Sequence, residues 1–284
     1  MKVLIIANFS DARCGFRNFA DQTVAALQRA GVEVSSFDGA YPSVYARHQI
    51  GIDAFFPPDI ARYDVVHLIW NAMTMNHYSG ADWTTCRLTS WWNGGPSDAS
   101  CPFEAAMQVK WSDWSRDGHY YQWYPVPDWV DDLPPADPIF TVGASSVRGD
   151  GIAEIQQVCA AHGWPVNLPA PGQWLSVEDE IRRLARSTVN VCWYHTSPIW
   201  QNKASAPSML LASGRPLAIN HDHLVGHLEA AADLYHGEDL EPLLCQIEDD
   251  WRQGRLILPT STAAQLSWTV AAGHFVAAWK GAMR

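Results

Sequence analysis

The chain has 284 residues, of which 48% are hydrophobic and 17% charged, and its net charge is −11. This composition predicts a globular protein with a sizeable core, and the length argues against a small disulfide-stapled domain. The acidic balance argues against tight non-specific binding of nucleic acid, although a local basic groove stays open. No apolar run approaches the ~20 residues of a membrane helix. The cysteines lack CxxC spacing, so we expect a reduced, cytoplasmic protein without a zinc cluster.

The first 70 residues predict a βαβ unit followed by a third strand. The apolar run 2–7 predicts a buried strand, and the spacing of apolar residues in 16–31 predicts a helix that stops at Gly31. Residues 32–37 and 63–70 (YDVVHLIW) predict two further strands. This order of elements implies a parallel sheet with right-handed crossovers.

Residues 71–135 are rich in tryptophan, glycine and proline, and their elements cannot be assigned from the pattern. Eight of the 15 tryptophans lie between Trp70 and Trp129. Flat aromatic faces suit sugar rings and nucleobases equally, and packing in the core is the other interpretation. The proline-rich and acidic segment 126–138 predicts a linker between two domains.

A second alternation of strands and helices begins at residue 139 and again predicts a parallel sheet. Ser176 is the expected N-cap of its second helix, with Asp179 completing the first turn. Residues 260–284 predict one long amphipathic helix. The predicted strands are 139–144, 164–170, 188–194 and 216–220, and the predicted helices are 149–163, 177–187 and 206–214.

Five segments, in this order and spacing, resemble the GT-B glycosyltransferases close to family 4, including compact phage-type members. They are MKVLIIANFSDARCGFRNFADQTVAALQRAGVEV, YDVVHLIW, IFTVGASSVRGDGI, MLLASGRPLAI and LSWTVAAGHFVAAW. The resemblance implies an α/β fold of two Rossmann-like parallel-sheet domains facing a cleft. Residues 1–137 would form the acceptor-side domain, joined by a C-terminal helix, 263–284, that crosses back. Residues 138–262 would form the domain that binds the nucleotide-sugar donor.

The resemblance also implies the activity. A sugar would move from a nucleotide sugar such as UDP-glucose to an acceptor hydroxyl, with retention of configuration and without a metal or other cofactor. The acceptor would be a glycan or small molecule, or a hydroxymethylated pyrimidine in DNA. The alternative is a catalytically inactive binding or accessory protein that keeps the GT-B fold.

Basic and hydroxyl side chains match the family's donor-binding positions. Arg148 matches the family lysine that binds the donor diphosphate, and Lys203 would stabilise the charge that develops on the leaving diphosphate. Ser205 and Ser208 would face the phosphates at a helix N-terminus, or would simply cap that helix. Gly15, in the first strand-to-helix loop, would let backbone N–H groups approach a phosphate, or would be an ordinary turn glycine.

Other positions depart from the family pattern or remain open. Met209 stands where the family has a glutamate that holds the donor ribose, so we count it among the donor-binding positions with a changed role. Ile69 replaces the histidine often tied to catalysis, and His77 is the candidate that would orient the acceptor or relay its proton. His67 is interpreted as a core histidine. Trp174 falls in the nucleobase pocket of the family, where stacking and packing are equally good interpretations.

Overall fold

The computed structural model describes residues 1–7, 15–38, 60–70, 87–93, 107–108, 114–116, 119–121, 125–145, 151–170, 173, 175–193, 205–220 and 232–284. The chain forms two compact units. Unit 1 contains Met1–Trp123 and Trp268–Arg284, and unit 2 contains Tyr124–Ser267. Each unit is built on a five-stranded parallel sheet, which confirms the predicted α/β class.

Unit 1 begins with the predicted βαβ arrangement. Its elements are β1 (Lys2–Ala7), α1 (Gly15–Arg29), β2 (Glu33–Asp38), β3 (Val65–Trp70), β4 (Thr89–Asn93), β5 (Met107–Gln108) and an antiparallel pair, β6 (Trp114–Arg116) and β7 (His119–Tyr121). The sheet order is β2-β1-β3-β4-β5. Gly31 follows α1 with a φ of +77°, a left-handed conformation that glycine adopts without a Cβ clash.

The apolar character of β1 follows from its position in the sheet. β1 pairs with β2 on one side and β3 on the other, and every residue from Val3 to Ala7 is buried. A strand buried on both faces of a parallel sheet has no solvent side for polar residues, so its sequence reads as a continuous apolar run.

Unit 2 contains the second alternation of strands and helices. Its strands are β8 (Val142–Ala144), β9 (Val166–Asn167), β10 (Val189–Cys192), β11 (Leu217–Asn220) and β12 (Tyr235–Gly237). Its helices are α2 (Ile152–His162), α3 (Val177–Ala185), α4 (Ser205–Ala212), α5 (Leu240–Arg252) and α6 (Thr260–Gln265). The sheet order is β12-β11-β10-β8-β9. β9 is shorter than predicted, because Pro165 and Pro169 flank it and proline has no N–H to donate to a neighbouring strand.

The start of α3 is as predicted. The Ser176 hydroxyl oxygen accepts a hydrogen bond from the Asp179 backbone N–H at 3.1 Å, and the hydroxyl donates to the Asp179 carboxylate at 2.7 Å. This bonding satisfies one of the N–H groups that a helix leaves unpaired in its first turn.

The prediction of a single helix over 260–284 is wrong, because the helical structure is interrupted at Leu266 and Ser267. α6 ends at Gln265, and a second helix, α7 (Trp268–Ala282), begins three residues later. The Leu266 carbonyl accepts a hydrogen bond from the Val126 backbone N–H at 2.7 Å, and Ser267 forms a bridge with Val126. A distant strand-like contact therefore replaces the helical bonding at this point.

α7 packs in unit 1. The Trp268 side chain is fully buried, its ring lies 5.2 Å from that of Phe19 in α1, and its Nε1 donates to Gln22 Oε1 at 2.7 Å. Near the other end of α7, Trp279 Nε1 donates to Ser90 Oγ in β4 at 2.9 Å. Two buried indoles thus hold the C-terminal helix against α1 and the sheet.

The proline-rich segment 126–138 lies within unit 2. The Pro134 carbonyl accepts a hydrogen bond from Arg215 Nη2 at 2.8 Å, and the Asp137 backbone N–H donates to the Arg186 carbonyl at 2.8 Å. Arg215 Nε also donates to the Ala185 carbonyl at the end of α3, so this side chain joins the segment to the helix.

Within the described part of the chain, no helix combines the length and apolar character needed to cross a membrane.

Candidate functional site

The candidate site lies in unit 2, at the edge of the sheet where the parallel strands end. This carboxyl edge is defined by the last residues of the five strands, Ala144, Asn167, Cys192, Asn220 and Gly237. α2 follows β8 and α4 follows β10, so both helices begin on this side of the sheet. Helix N-termini present unpaired N–H groups, and open parallel sheets bind ligands beyond their carboxyl ends.

The N-terminus of α2 approaches the end of β10 closely at Gly151. A Cβ at Gly151 would lie 2.3 Å from the Trp193 carbonyl oxygen, so no other residue fits there without a shift of the backbone. Gly151 is the N-cap of α2, and none of the described side chains caps this helix. The first turn of α2 is therefore held against the carboxyl edge by close backbone packing at Gly151.

Ser145 is the first residue after β8 and adds a polar group to the carboxyl edge. Its residue exposure is only 8%, and its Oγ has no hydrogen-bond partner among the described residues. A buried hydroxyl without a partner costs free energy, of the order of 1–3 kcal/mol. Such a group is therefore a candidate for binding a ligand or an ordered water.

α4 supplies the second helix N-terminus, and Ser205 is its first residue. Ser208, in the same first turn, is buried with a side chain that is 3% exposed. Met209, the next residue, is also buried. The position where the family has a ribose-binding glutamate is thus occupied by an apolar side chain that belongs to the interior of unit 2.

A layer of buried polar side chains packs around Gly143, in the middle of β8. Asn190 Nδ2 donates to Ser213 Oγ at 2.8 Å, which explains the serine in the SGRP turn after α4. A Cβ at Gly143 would lie 2.1 Å from Asn190 Oδ1 and 2.3 Å from Ser187 Oγ. Only glycine fits at position 143, because a Cβ there would collide with the side chains of Asn190 and Ser187. Sequence reasoning missed this layer, although the asparagine inside the apolar run 188–194 was a signal.

Four of the eight residues predicted for the site lie outside the described residues. These are His77, Arg148, Trp174 and Lys203. Gly15 is the first residue of α1 and Ser205 the first of α4, so each lies at a helix N-terminus as its predicted role requires. Their contribution to a site stays a prediction. No three His, Cys, Asp or Glu side chains within the described ranges come together in a way that could hold a metal ion.

His67 lies in the middle of the unit 1 sheet and is fully buried. Its Nδ1 is 2.8 Å from Ser90 Oγ, and its ring lies between 5.4 and 5.6 Å from the rings of Trp279 and Phe275. Nε2 has no hydrogen-bond partner among the described residues. Burial lowers the pKa of His67 to about 3, so the imidazole is neutral at physiological pH. It is the core histidine that the sequence predicted.

The chain is similar in structure to several solved glycosyltransferases. An alpha-glucosyltransferase in complex with UDP and a DNA 13-mer containing an HMU base is 8% identical, with a TM-score of 0.60 over 100% of this chain and 99% of that one. A glycosyltransferase from Rickettsia africae is 9% identical, with a TM-score of 0.59 over 100% and 98%. HepE from Anabaena, in complex with UDP and glucose, is 10% identical, with a TM-score of 0.53 over 99% of both chains. No protein-family model and no curated protein matches the sequence.

These similarities extend over the whole chain and therefore concern both units. Two parallel-sheet α/β units matched at full length to glycosyltransferases define the GT-B fold. The predicted fold class is confirmed. Identities of 8–10% with the three structures described above establish the fold and leave the activity to be argued from the site.

Proposed function

We propose that this protein is a glycosyltransferase that moves a sugar from a nucleotide sugar such as UDP-glucose to an acceptor hydroxyl. The observation that carries the proposal is the full-length similarity to glycosyltransferases of the GT-B fold, several of them solved with UDP or UDP-glucose. Unit 2 is the proposed donor-binding unit, and unit 1 the proposed acceptor-binding unit. No metal or other cofactor is part of the proposal.

The donor diphosphate would bind at the carboxyl edge of unit 2. α2 and α4 both begin on this side, and Ser145, whose hydroxyl has no hydrogen-bond partner among the described residues, directly follows β8. Helix N-termini and hydroxyl groups are suitable partners for phosphate oxygens. Arg148 and Lys203 are in the loops that lead from β8 to α2 and from β10 to α4, so both are proposed to contact the diphosphate. Trp174 is the proposed partner of the nucleobase.

The proposed reaction breaks the bond between the anomeric carbon and the oxygen of the distal phosphate. The acceptor oxygen forms a new bond to the same carbon and gives up its proton, and the nucleoside diphosphate leaves with the bonding electrons. Lys203 and Arg148 would stabilise the negative charge on this leaving group. We propose retention of configuration, in which a phosphate oxygen on the attacked face accepts the proton, and His77 orients the acceptor.

A catalytically inactive binding protein of the same fold is the second candidate, and specific residues favour it. Met209, Ile69 and Ala144 are buried apolar side chains at positions where the resembled family has a glutamate, a histidine and a diphosphate-binding arginine, respectively. If these losses abolish transfer, the protein would bind a nucleotide without consuming it. The two candidates therefore differ in turnover and agree in nucleotide binding.

The acceptor is proposed to be either a glycan or small molecule, or a hydroxymethylated pyrimidine in DNA. Similar structures include an alpha-glucosyltransferase solved with DNA, which supports testing DNA. The net charge of −11 gives no general affinity for phosphates, so binding of DNA would depend on a local surface.

The test is a screen read by mass spectrometry. Wild-type protein and Lys203→Ala are incubated with several nucleotide sugars and with glycan, hydroxymethyl-DNA and unmodified-DNA acceptors. We expect a hexose added to one acceptor class by the wild type, and at least tenfold less product with Lys203→Ala because the leaving group loses a cation. Nucleotide binding without any product or sugar hydrolysis would support the inactive candidate, and the absence of both would contradict both candidates.

A further inference from the structure

A buried ion pair in α3 lies directly behind the carboxyl edge of unit 2. Arg183 and Glu180 are one helical turn apart, with side-chain exposures of only 13% and 7%. Arg183 Nη2 donates to Glu180 Oε1 at 2.6 Å, and Arg183 Nε donates to Oε2 at 2.9 Å. Both charges are therefore compensated in a two-bond geometry that the planar guanidinium favours.

The remaining donors of the guanidinium go to the ends of two strands. Arg183 Nη2 also donates to the carbonyl of Ala144, the last residue of β8, at 2.8 Å. Nη1 donates to the backbone carbonyl and the side-chain oxygen of Asn167, the last residue of β9. All five N–H groups of Arg183 are thus used, two on the carboxylate and three on strand ends.

These bonds form where the edge strand β9 ends, one residue before the end of β8. Gly143 pairs with Asn167, and β9 ends there, while β8 continues to Ala144. Beyond the last residue of β9, the Ala144 carbonyl accepts its hydrogen bond from Arg183 Nη2. Asn167 Nδ2 in turn donates to the Arg183 carbonyl at 2.7 Å and to Ser187 Oγ at 3.0 Å. Arg183 and Asn167 therefore each donate hydrogen bonds to the other.

The two strand ends lead into the two loops that carry proposed donor-binding residues. Residues 145–151 follow β8 and include Arg148, the proposed diphosphate partner. Residues 168–176 follow β9 and include Trp174, the proposed nucleobase partner. The Arg183 side chain therefore bonds to the last strand residue before each of these two segments.

We infer that Arg183, held by Glu180, is a positioning residue that fixes the separation of the ends of β8 and β9, the strands that precede the two proposed donor-binding segments. The inference rests on the proposed function for the identity of the ligand, a nucleoside diphosphate. A buried ion pair contributes little net stability compared with apolar residues of similar volume. Its value here lies in geometry, because an apolar side chain has no donor, and a lysine, with three donors at a single point, cannot bond to the carboxylate and to the three strand-end oxygens together.

The test uses the full chain and four variants. Arg183→Lys keeps the charge and loses the fork, Arg183→Met loses both, and Glu180→Leu with Arg183→Met replaces the pair by apolar groups. Arg182→Met is the matched control, since Arg182 pairs with Glu178 on the same helix at 3.5 Å with side-chain exposures of 44% and 53%. The probe is UDP, titrated by calorimetry, and each variant is first shown to be folded by its cooperative thermal transition.

We expect Arg183→Lys and the double variant to weaken UDP binding by about tenfold or more, and Arg182→Met to leave it within about twofold. Amide exchange without ligand supplies a second readout: peptides that begin at residues 144 and 167 should exchange faster in the Arg183 variants and remain as in the wild type in Arg182→Met. If Arg183→Met alone fails to fold, the Lys and double variants carry the comparison.

Wild-type affinity and wild-type exchange in a folded double variant would overturn the positioning role. Rescue of both affinity and exchange by Arg183→Lys would also overturn it, because a positive charge would then be sufficient. If the wild type does not bind UDP, a uridine-nucleotide donor is excluded, and the exchange comparison alone decides whether Arg183 positions the two strand ends.

Discussion

At the scale of single residues, each sheet contains a buried polar side chain, Asn190 in unit 2 and His67 in unit 1, and their surroundings differ. Asn190 in unit 2 belongs to a polar layer with Ser187 and Ser213, and this layer leaves room only for glycine at position 143. His67 in unit 1 has one hydroxyl partner, Ser90, and is otherwise enclosed by aromatic rings. The surroundings of Asn190 restrict the size of the residue at position 143, and the surroundings of His67 disfavour the charged form of its imidazole.

His67 should make the stability of the protein depend on pH. Because the folded-state pKa is about 3 and the ordinary value is near 6.5, the unfolded chain binds a proton below pH 6.5 that the folded chain rejects. Each pH unit below that point should lower the free energy of unfolding by up to about 1.4 kcal/mol. His67→Gln keeps a partner for Ser90 without titrating. Urea unfolding at pH 7 and pH 5 should show a loss of about 2 kcal/mol in the wild type that the variant lacks, and parallel losses in both proteins would show that His67 is not the cause.

At the scale of secondary-structure elements, the start of α6 depends on a residue far away in the sequence. Asp233 accepts hydrogen bonds from the backbone N–H groups of Ser261 and Thr262, at 2.8 and 3.1 Å, and from the Thr262 hydroxyl. Burial alone would raise the pKa of Asp233, but the hydrogen bonds from Thr262 and Ser261 outweigh burial and lower it. The carboxylate thus acts as a cap supplied by another segment of the chain.

Asp233→Ala should lower the free energy of unfolding at pH 7 by about 1–2 kcal/mol, the cost of a lost helix cap. Since the folded-state pKa is lowered, the contribution of Asp233 is present above its ordinary pKa and is lost as the pH falls through the folded value. The difference between wild type and variant should therefore shrink below about pH 4. Asp239→Ala is the control, because Asp239 is the N-cap residue of α5 without a side-chain capping bond. Equal destabilisation by the two variants in urea titrations would contradict the capping role.

Local signals predicted the elements well where neighbouring residues decide the structure. The βαβ unit at the start, the strand at 63–70 and the Ser176 cap of α3 follow from apolar spacing, glycine stops and a capping serine. The break between α6 and α7 was missed, because it depends on Val126, which is 140 residues away from Leu266 in the chain. Apolar periodicity continues through Leu266 and Trp268 and gives no sign of that contact.

At the scale of the whole molecule, the fold could be predicted from the order of short segments, and the site only in part. The GT-B class followed from two alternations of strands and helices together with family-like segments, and the solved glycosyltransferases confirm it. Gly151, Ser145 and Arg183 were missed as contributors to the carboxyl edge. The roles of Gly151 and Arg183 arise where helices meet strand ends that are distant in sequence: Gly151 approaches Trp193, and Arg183 bonds to Ala144. The burial of Ser145 is likewise not visible in the local pattern.

The central proposal is that this GT-B protein binds a nucleotide sugar such as UDP-glucose, and that Lys203, two residues before the start of α4 in the sequence, contacts its diphosphate. The most direct measurement is a calorimetric titration of the full chain and of Lys203→Ala with UDP-glucose. The account predicts one saturable site in the wild type and at least tenfold weaker binding in the variant, which corresponds to about 1.4 kcal/mol or more. No binding by the wild type, or equal affinity in the two proteins, would contradict it.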